Sequence, residues 1–411
     1  MPNHHKQVEG GIRMTFTPGK VDCKPAEVGY DESRIAVLHK HFEKLLEDGK
    51  ITNASYCVSR YGKVFMHGAM GPFSYKKGEK RAMKPSDIQY VASITKLFAA
   101  TAFLKLVEDG VTRLDLPVKE VLPQFDALHF RDITAFDLLT HTSGMYPDGG
   151  CFDDKYHKGY WAHIEHYIKS YKAKDGEFDW LTAGLSVRPR KRIGEEWQYC
   201  SFGITIIGEM IRKLTGKRAE AYITDEILRP LGMKDTCFGS ELNAKNAKNH
   251  IVQHKWSEKY LKDIIAGKKP DRDDELWNQM PSTSSGIVSN ARDMNRFGTM
   301  LLYMGTTPDG VRIIGRKVME KATSHALFNV PNFCWGANDK NRGFGIGFDM
   351  RHGPAFTFSD GTFNHEGAGA SALYMDPKEQ LAAFFFVPFK ADGWHSEALF
   401  NTLNIIWSGL K

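Results

Sequence analysis

Tyr90–Gly110 reads YVASITKLFAATAFLKLVEDG, a short extended run that passes directly into a strongly apolar helix. Ser93 stands at the junction and Lys96 follows three residues later. Residues i and i+3 share a helix face, so the lysine nitrogen is expected beside the serine hydroxyl. The unpaired N–H groups of the helix start point to the same place and favour developing negative charge there. A serine hydroxyl is a weak nucleophile at neutral pH. A neighbour must take its proton, and a lysine held in a desolvated pocket shifts toward the neutral amine that can do so. S-x-x-K also occurs at Ser74/Lys77 and Ser408/Lys411. The first of these sits in the polar loop SYKKGEK and the second in the last residues of the chain, whereas Ser93 alone opens an apolar helix. The plain alternative is that Ser93 caps the helix and Lys96 is exposed.

Outward from this segment the chain alternates in type. Asp31–Asp48 places Ile35, Leu38, Phe42, Leu45 and Leu46 on one helical stripe with Gly49 as its stop, an amphipathic helix that must cover a flat surface. Ala54–Arg60 and Val64–Met70 read as strands joined in a hairpin at Tyr61-Gly62. Far downstream, Gly343–Met350, Ala355–Ser359, Ser371–Met375 and Leu381–Phe389 read as strands again, and Ser396–Leu410 as a helix. Between them, Leu97–Arg296 is dominated by helix patterns such as Leu97–Glu108, Gly203–Leu214 and Ala219–Leu228. The expected fold class is therefore α+β with a helical insertion. An N-terminal arm spans 1–30, a sheet unit takes 31–96 and 297–411, and a helical unit takes 97–296 with insertions near 146–180 and 240–280. Such a sheet closes only if both ends of the chain meet. Tyr146–Trp180 is dense in aromatic residues among charges, which fits either a wall of a ligand site or surface decoration.

Bulk properties narrow the function. The 411 residues are 42% hydrophobic and carry Lys+Arg 55 against Asp+Glu 49, a net charge of only +6. That charge is spread along the chain rather than gathered in a stripe, so nucleic acid is not an expected partner. The opening MPNHHKQVEGGIRMTF lacks the apolar region of a secretory signal, and no apolar run is long enough to span a bilayer. A soluble, cytoplasmic protein with no membrane partner is expected. Cys23, Cys57, Cys151, Cys200, Cys237 and Cys334 are scattered without a C-x-x-C pair and read as reduced, mostly buried thiols. His163 and His166 have no third ligand at metal spacing, so no metal is expected. His141 is expected to hydrogen-bond the turn that ends at Gly144. GFGIGF, Gly343–Phe348, reads as an alternating strand rather than a dinucleotide fingerprint.

Six segments in order give the chain a resemblance to the superfamily of serine β-lactamases, penicillin-binding proteins and esterases, in the class C branch that includes carboxylesterases, D-aminopeptidases and acyltransferases. They are SITK at Ser93, DLLTHTSG (Asp137–Gly144), GEEWQYCSFGITIIGEMIRKLTG (Gly194–Gly216), ILRPLGMKDTCF (Ile227–Phe238), SSGIVSNARDMNRFGTML (Ser284–Leu301) and NHEGAGASALYMDP (Asn364–Pro377). The resemblance implies a β-lactamase/transpeptidase-like fold, an antiparallel sheet flanked by helices with an inserted helical subdomain. It implies an acyl-enzyme on Ser93, with Lys96 and Tyr199 moving protons and no cofactor. Tyr199-Cys200-Ser201 stands where the family has Tyr-x-Asn, so Ser201 replaces an amide that would contact substrate. For Tyr199 to act as base its pKa must fall from about 10 through nearby Lys96. His365-Glu366-Gly367 stands where penicillin-recognising members have Lys-Thr-Gly. Gly367 then permits close approach, and the N–H of Ala368 joins that of Ser93 as an oxyanion hole. A mostly neutral His365, with Glu366 adding opposing charge beside it, suits a substrate carboxylate poorly. The expected activity is that of a carboxylesterase on small esters. The alternatives are a D-amino acid peptidase, amidase or weak β-lactamase with the same site, acyl transfer to an acceptor other than water, and a non-catalytic binding or sensor domain of the same fold. The expected partner is a small-molecule ester or amide; oligomeric state is not legible.

Overall fold

The computed structural model describes residues 16–151, 159–170, 178–253, 255–268, 272–327, 330–334, 342–351, 353, 356–369, 371–388 and 397–411. Its centre is an antiparallel sheet built from both ends of the chain. The strands are β1 (Phe16–Pro18), β2 (Ala54–Arg60) and β3 (Lys63–Met70) from the first part, and β7 (Arg342–Phe344), β8 (Asp349–Arg351), β9 (Phe363–Gly367), β10 (Ser371–Asp376) and β11 (Leu381–Phe386) from the last. Their order is β1-β3-β2-β11-β10-β9-β8-β7, so the two parts meet where β2 pairs with β11. A second, three-stranded sheet of β4 (Gln89–Tyr90), β5 (Cys237–Phe238) and β6 (Ile287–Ser289) is ordered β4-β6-β5.

The central strands are buried along their whole length, and period-two alternation sends their side chains to two covered faces. Along β11, Leu381, Ala383 and Phe385 join one hydrophobic cluster while Ala382, Phe384 and Phe386 join another. Each face is covered, so neither face is open to solvent there. The outer face is covered by the helices Ser33–Glu47 and Glu397–Trp407. The first buries Leu38, Phe42, Leu45 and Leu46, the stripe read from its sequence. Ile35 packs at the edge of the same cluster and Gly49 ends the helix at φ 67°. Tyr61 and Gly62, at φ 52° and 73°, make the tight hairpin between β2 and β3.

On the inner face lies the helix Thr95–Glu108, buried on nearly every side, as expected of a helix apolar all round. Phe98 stacks on Phe297 of the helix Ala291–Leu302 at a ring separation of 3.7 Å. Three strand expectations need correction. Gly343–Met350 is not one strand but β7 and β8, turned back on each other, with Gly345 N–H donating to Phe348 O at 2.7 Å and Gly347 at φ 84°. Glycine at alternate positions supplied the bend that alternation alone did not show. Residues 356–359 carry no strand, and Ala355 lies outside the described residues. The final strand stops at Phe386, and Phe389 lies outside the described residues. In the helical region, Ala219–Ile223 is α-helical and continues as a π turn over Thr224–Leu228.

Candidate active site

The Ser93 hydroxyl is placed by three elements. Ala92–Ile94 form a tight turn before the helix, and Ala92 takes the left-handed conformation at φ 48°. That is an uncommon conformation for a residue with a side chain. Ser93 does not cap the helix; its Oγ accepts from Lys96 Nζ at 3.1 Å. Nζ also donates to the carbonyl of Ser284 at 2.9 Å, just ahead of β6, whose pairing with β4 fixes the approach to Ser93. Lys96 is only 2% exposed. Burial, opposed by the Asp148 carboxylate, brings its pKa down to about 8. The amine form expected from the sequence is thus accessible near neutral pH.

Tyr199 arrives on the segment that leads into the helix Ser201–Thr215, and its side chain hydrogen-bonds Ser93. Its ring stands 4.8 Å from Lys96 Nζ. The expected fall in its pKa is not found. Burial first, and the Asp148 carboxylate second, push the phenol well above its ordinary value, while the bond to Ser93 only moderates this. Desolvation outweighs the lysine because Lys96 is itself moved toward neutrality. The free site therefore holds a neutral phenol. His141 fastens the Tyr199 segment, in place of the expected bond to the Gly144 turn. Its Nδ1 accepts from Cys200 N–H at 3.2 Å and its carbonyl accepts from Gln198 N–H at 2.8 Å.

The opposite side is the end of β9. His365 and Glu366 alternate across the strand. The His365 ring, 6.2 Å from that of Tyr199, faces the site and is buried, which lowers its pKa to about 4, so it is neutral. Its Nδ1 donates to Glu366 O at 2.7 Å, which leaves Nε2 as an acceptor. The Glu366 carboxylate goes the other way, to Arg351 Nε at 3.2 Å and to the hydroxyl of Tyr374. The expectation of an opposing charge beside His365 is corrected by this alternation. Gly367 packs against the backbone ahead of Ser93, where Ser371 Oγ donates to Val91 O at 2.9 Å. Ala368 follows in the exposed turn between β9 and β10.

These residues enclose a cavity of about 390 Å³. Ser93, Tyr199, Asp148, Gly149 and Cys151 line one side; Arg342, Asp349, His365, Glu366 and Ala368 line the other. Ser201 and Gly367 stand behind this lining. The Ser201 hydroxyl and N–H both donate to Asp148, the latter at 2.9 Å. Arg342 is bound to Asp349 through Nε at 3.0 Å. Ser74 is instead buried beside Val252, and the hydroxyl of Ser408 donates to Ile405 O, so neither repeats the arrangement. Among the described residues no group of three or more His, Cys, Asp or Glu is arranged to hold a metal ion.

Comparison with known families matches residues 38–393 to the family described as Beta-lactamase. The chain belongs to the β-lactamase family. Within the family it is 30% identical over 236 residues to Esterase EstB of Burkholderia gladioli, covering 53% of this chain and 55% of that protein. It is 26% identical over 246 residues to Penicillin-binding protein 4 of Amycolatopsis lactamdurans, covering 58% and 57%. The chain thus spans just over half the length of these curated relatives. The solved structure of a family VIII carboxylesterase superposes with a TM-score of 0.69 over 95% of this chain and 100% of that one, at 19% identity, which establishes the shared fold.

Sequence reasoning missed three site residues of this β-lactamase family member: Asp148, Arg342 and Asp349. Arg342 and Asp349 carry no motif and meet only because β7 turns back on β8. For Asp148 the signal was the aromatic stretch from Tyr146, whose Trp161 hydrogen-bonds it.

Proposed function

We propose that this protein is a serine hydrolase that forms an acyl-enzyme on Ser93 and acts on small carboxylic esters. The observation that carries the reading is the convergence of Lys96 and Tyr199 on one hydroxyl inside a cavity. In this reading, Ser93 Oγ attacks the ester carbonyl while its proton passes to the amine of Lys96, directly or through the phenol of Tyr199. The N–H groups of Ser93 and Ala368 hold the oxyanion. Tyr199 then gives its proton to the departing alkoxide and is reprotonated from the Lys96 ammonium, so the phenol acts as a relay and need not ionise in the resting site. Water repeats the sequence on the acyl-enzyme. His365, neutral and acceptor-like at Nε2, suits an alcohol better than a carboxylate. The resemblance to an esterase over half the chain supports an ester substrate. We also infer that 31–96 with 297–411 and the helical region 97–296 act as two units with this cleft at their seam.

The test is turnover of p-nitrophenyl acetate by the wild type and by Ser93→Ala, with mass spectrometry after a fluorophosphonate. Ester turnover and an adduct on Ser93, both lost in the variant, are expected. Equal turnover in the two proteins, or no adduct, overturns the reading.

A further inference from the structure

The catalytic reading gives Asp148 no task, yet the residue lines the cavity together with Ser93 and Tyr199. The neighbouring carboxylates are each matched by a guanidinium, Asp349 by Arg342 and Glu366 by Arg351. Asp148 is held instead by neutral donors: the N–H and hydroxyl of Ser201 and the side chain of Trp161. Among the described residues no Lys or Arg lies in ion-pair contact with it. Burial raises the pKa of this carboxyl and Lys96 acts against that, but the Lys96 nitrogen is committed to Ser93 and Ser284. Three neutral donors fix the direction of a carboxylate without cancelling its charge. An ionised carboxylate can only accept hydrogen bonds, so the partner it selects from solution is an N–H-bearing or cationic group.

We propose that Asp148 receives a positively charged nitrogen of the substrate, so that the preferred substrates are esters or amides carrying an ammonium group near the scissile carbonyl. This deepens the reading above and rests on it. The charge can reside on the acyl part or on the leaving alcohol, and isosteric pairs separate the two. On the acyl side, p-nitrophenyl 3-aminopropanoate is compared with p-nitrophenyl butyrate, in which a methyl replaces the ammonium. On the alcohol side, butyrylcholine is compared with 3,3-dimethylbutyl butyrate.

In the wild type at low salt, the charged member of at least one pair is expected to show kcat/KM higher by about tenfold or more, the equivalent of one partly desolvated ion pair. Asp148→Asn keeps an acceptor for Ser201 but removes the charge, and is expected to bring that ratio down by about tenfold. Ratios near unity in both wild-type pairs overturn the proposal without any variant, as does a preference that survives Asp148→Asn. Ser93→Ala distinguishes the two levels. Turnover that persists in Ser93→Ala overturns the catalytic reading, whereas Ser93-dependent turnover with no charge preference overturns only the role of Asp148.

Discussion

A β-carbon placed on Gly367 would stand 2.0 Å from the carbonyl oxygen of Val91. The end of β9 therefore docks on the very segment that delivers Ser93, and only glycine permits it. Gly367→Ala must push the strand away and take the Ala368 N–H with it. Ester turnover is expected to fall by roughly a hundredfold, the usual cost of one oxyanion donor. Steady-state kinetics check this, with circular dichroism to confirm the fold.

The lowered pKa of Lys96 sets a pH dependence for activity. With the amine as base, kcat/KM for a neutral ester rises with pH and levels off above about 8. The same shift acts on stability with a definite sign. The folded pKa lies below the unfolded 10.5, so between about 8 and 10.5 the unfolded chain binds more protons and folding is favoured as pH rises. Below that window the buried ammonium costs about 3 kcal/mol. Lys96→Met should be inactive yet unfold at higher denaturant near pH 7, and should lack the gain on alkalinisation. Urea titrations at pH 7 and pH 10 decide it.

Tyr199→Phe removes the relay and little volume. A fall in kcat of roughly 10² to 10⁴ is expected, with proton transfer to the leaving group most affected. Esters of poor leaving groups should lose more than p-nitrophenyl esters, which need no proton. If both lose equally, the phenol is not the acid.

His141 sits at φ 58° and accepts the Cys200 N–H. His141→Gly tolerates that backbone and removes the acceptor. It should cost about 1–3 kcal/mol for the stranded N–H and lower kcat more than KM, since Tyr199 loses its brace. Thermal melting and a kcat against KM comparison provide the readouts.

Much of this was legible in the chain itself. The stripe Leu38, Phe42, Leu45 and Leu46 and the hairpin at Tyr61-Gly62 are local periodicity and turn chemistry, which sequence reports directly. Ser93, Lys96, Tyr199 and His365, which the structure brings together, had been singled out by motif and order. What escaped depends on burial and on which strand turns back. The direction of the Tyr199 shift needed the depth of its pocket, and the fate of the Glu366 charge needed Arg351 and Tyr374 on the far side of β9. Gly343–Phe348 alternated like a strand, but its glycines were spent on a reversal.

The seam between β2 and β11 also governs when the molecule can work. The Ser93 helix leaves the ribosome long before the β9–β10 hairpin that completes its surroundings. A nascent chain holds Ser93 without an assembled cleft, and closing the sheet waits on a contact between distant stretches of polymer, which is slow by topology. Catalytic competence should therefore appear late in refolding, after most helical signal has returned.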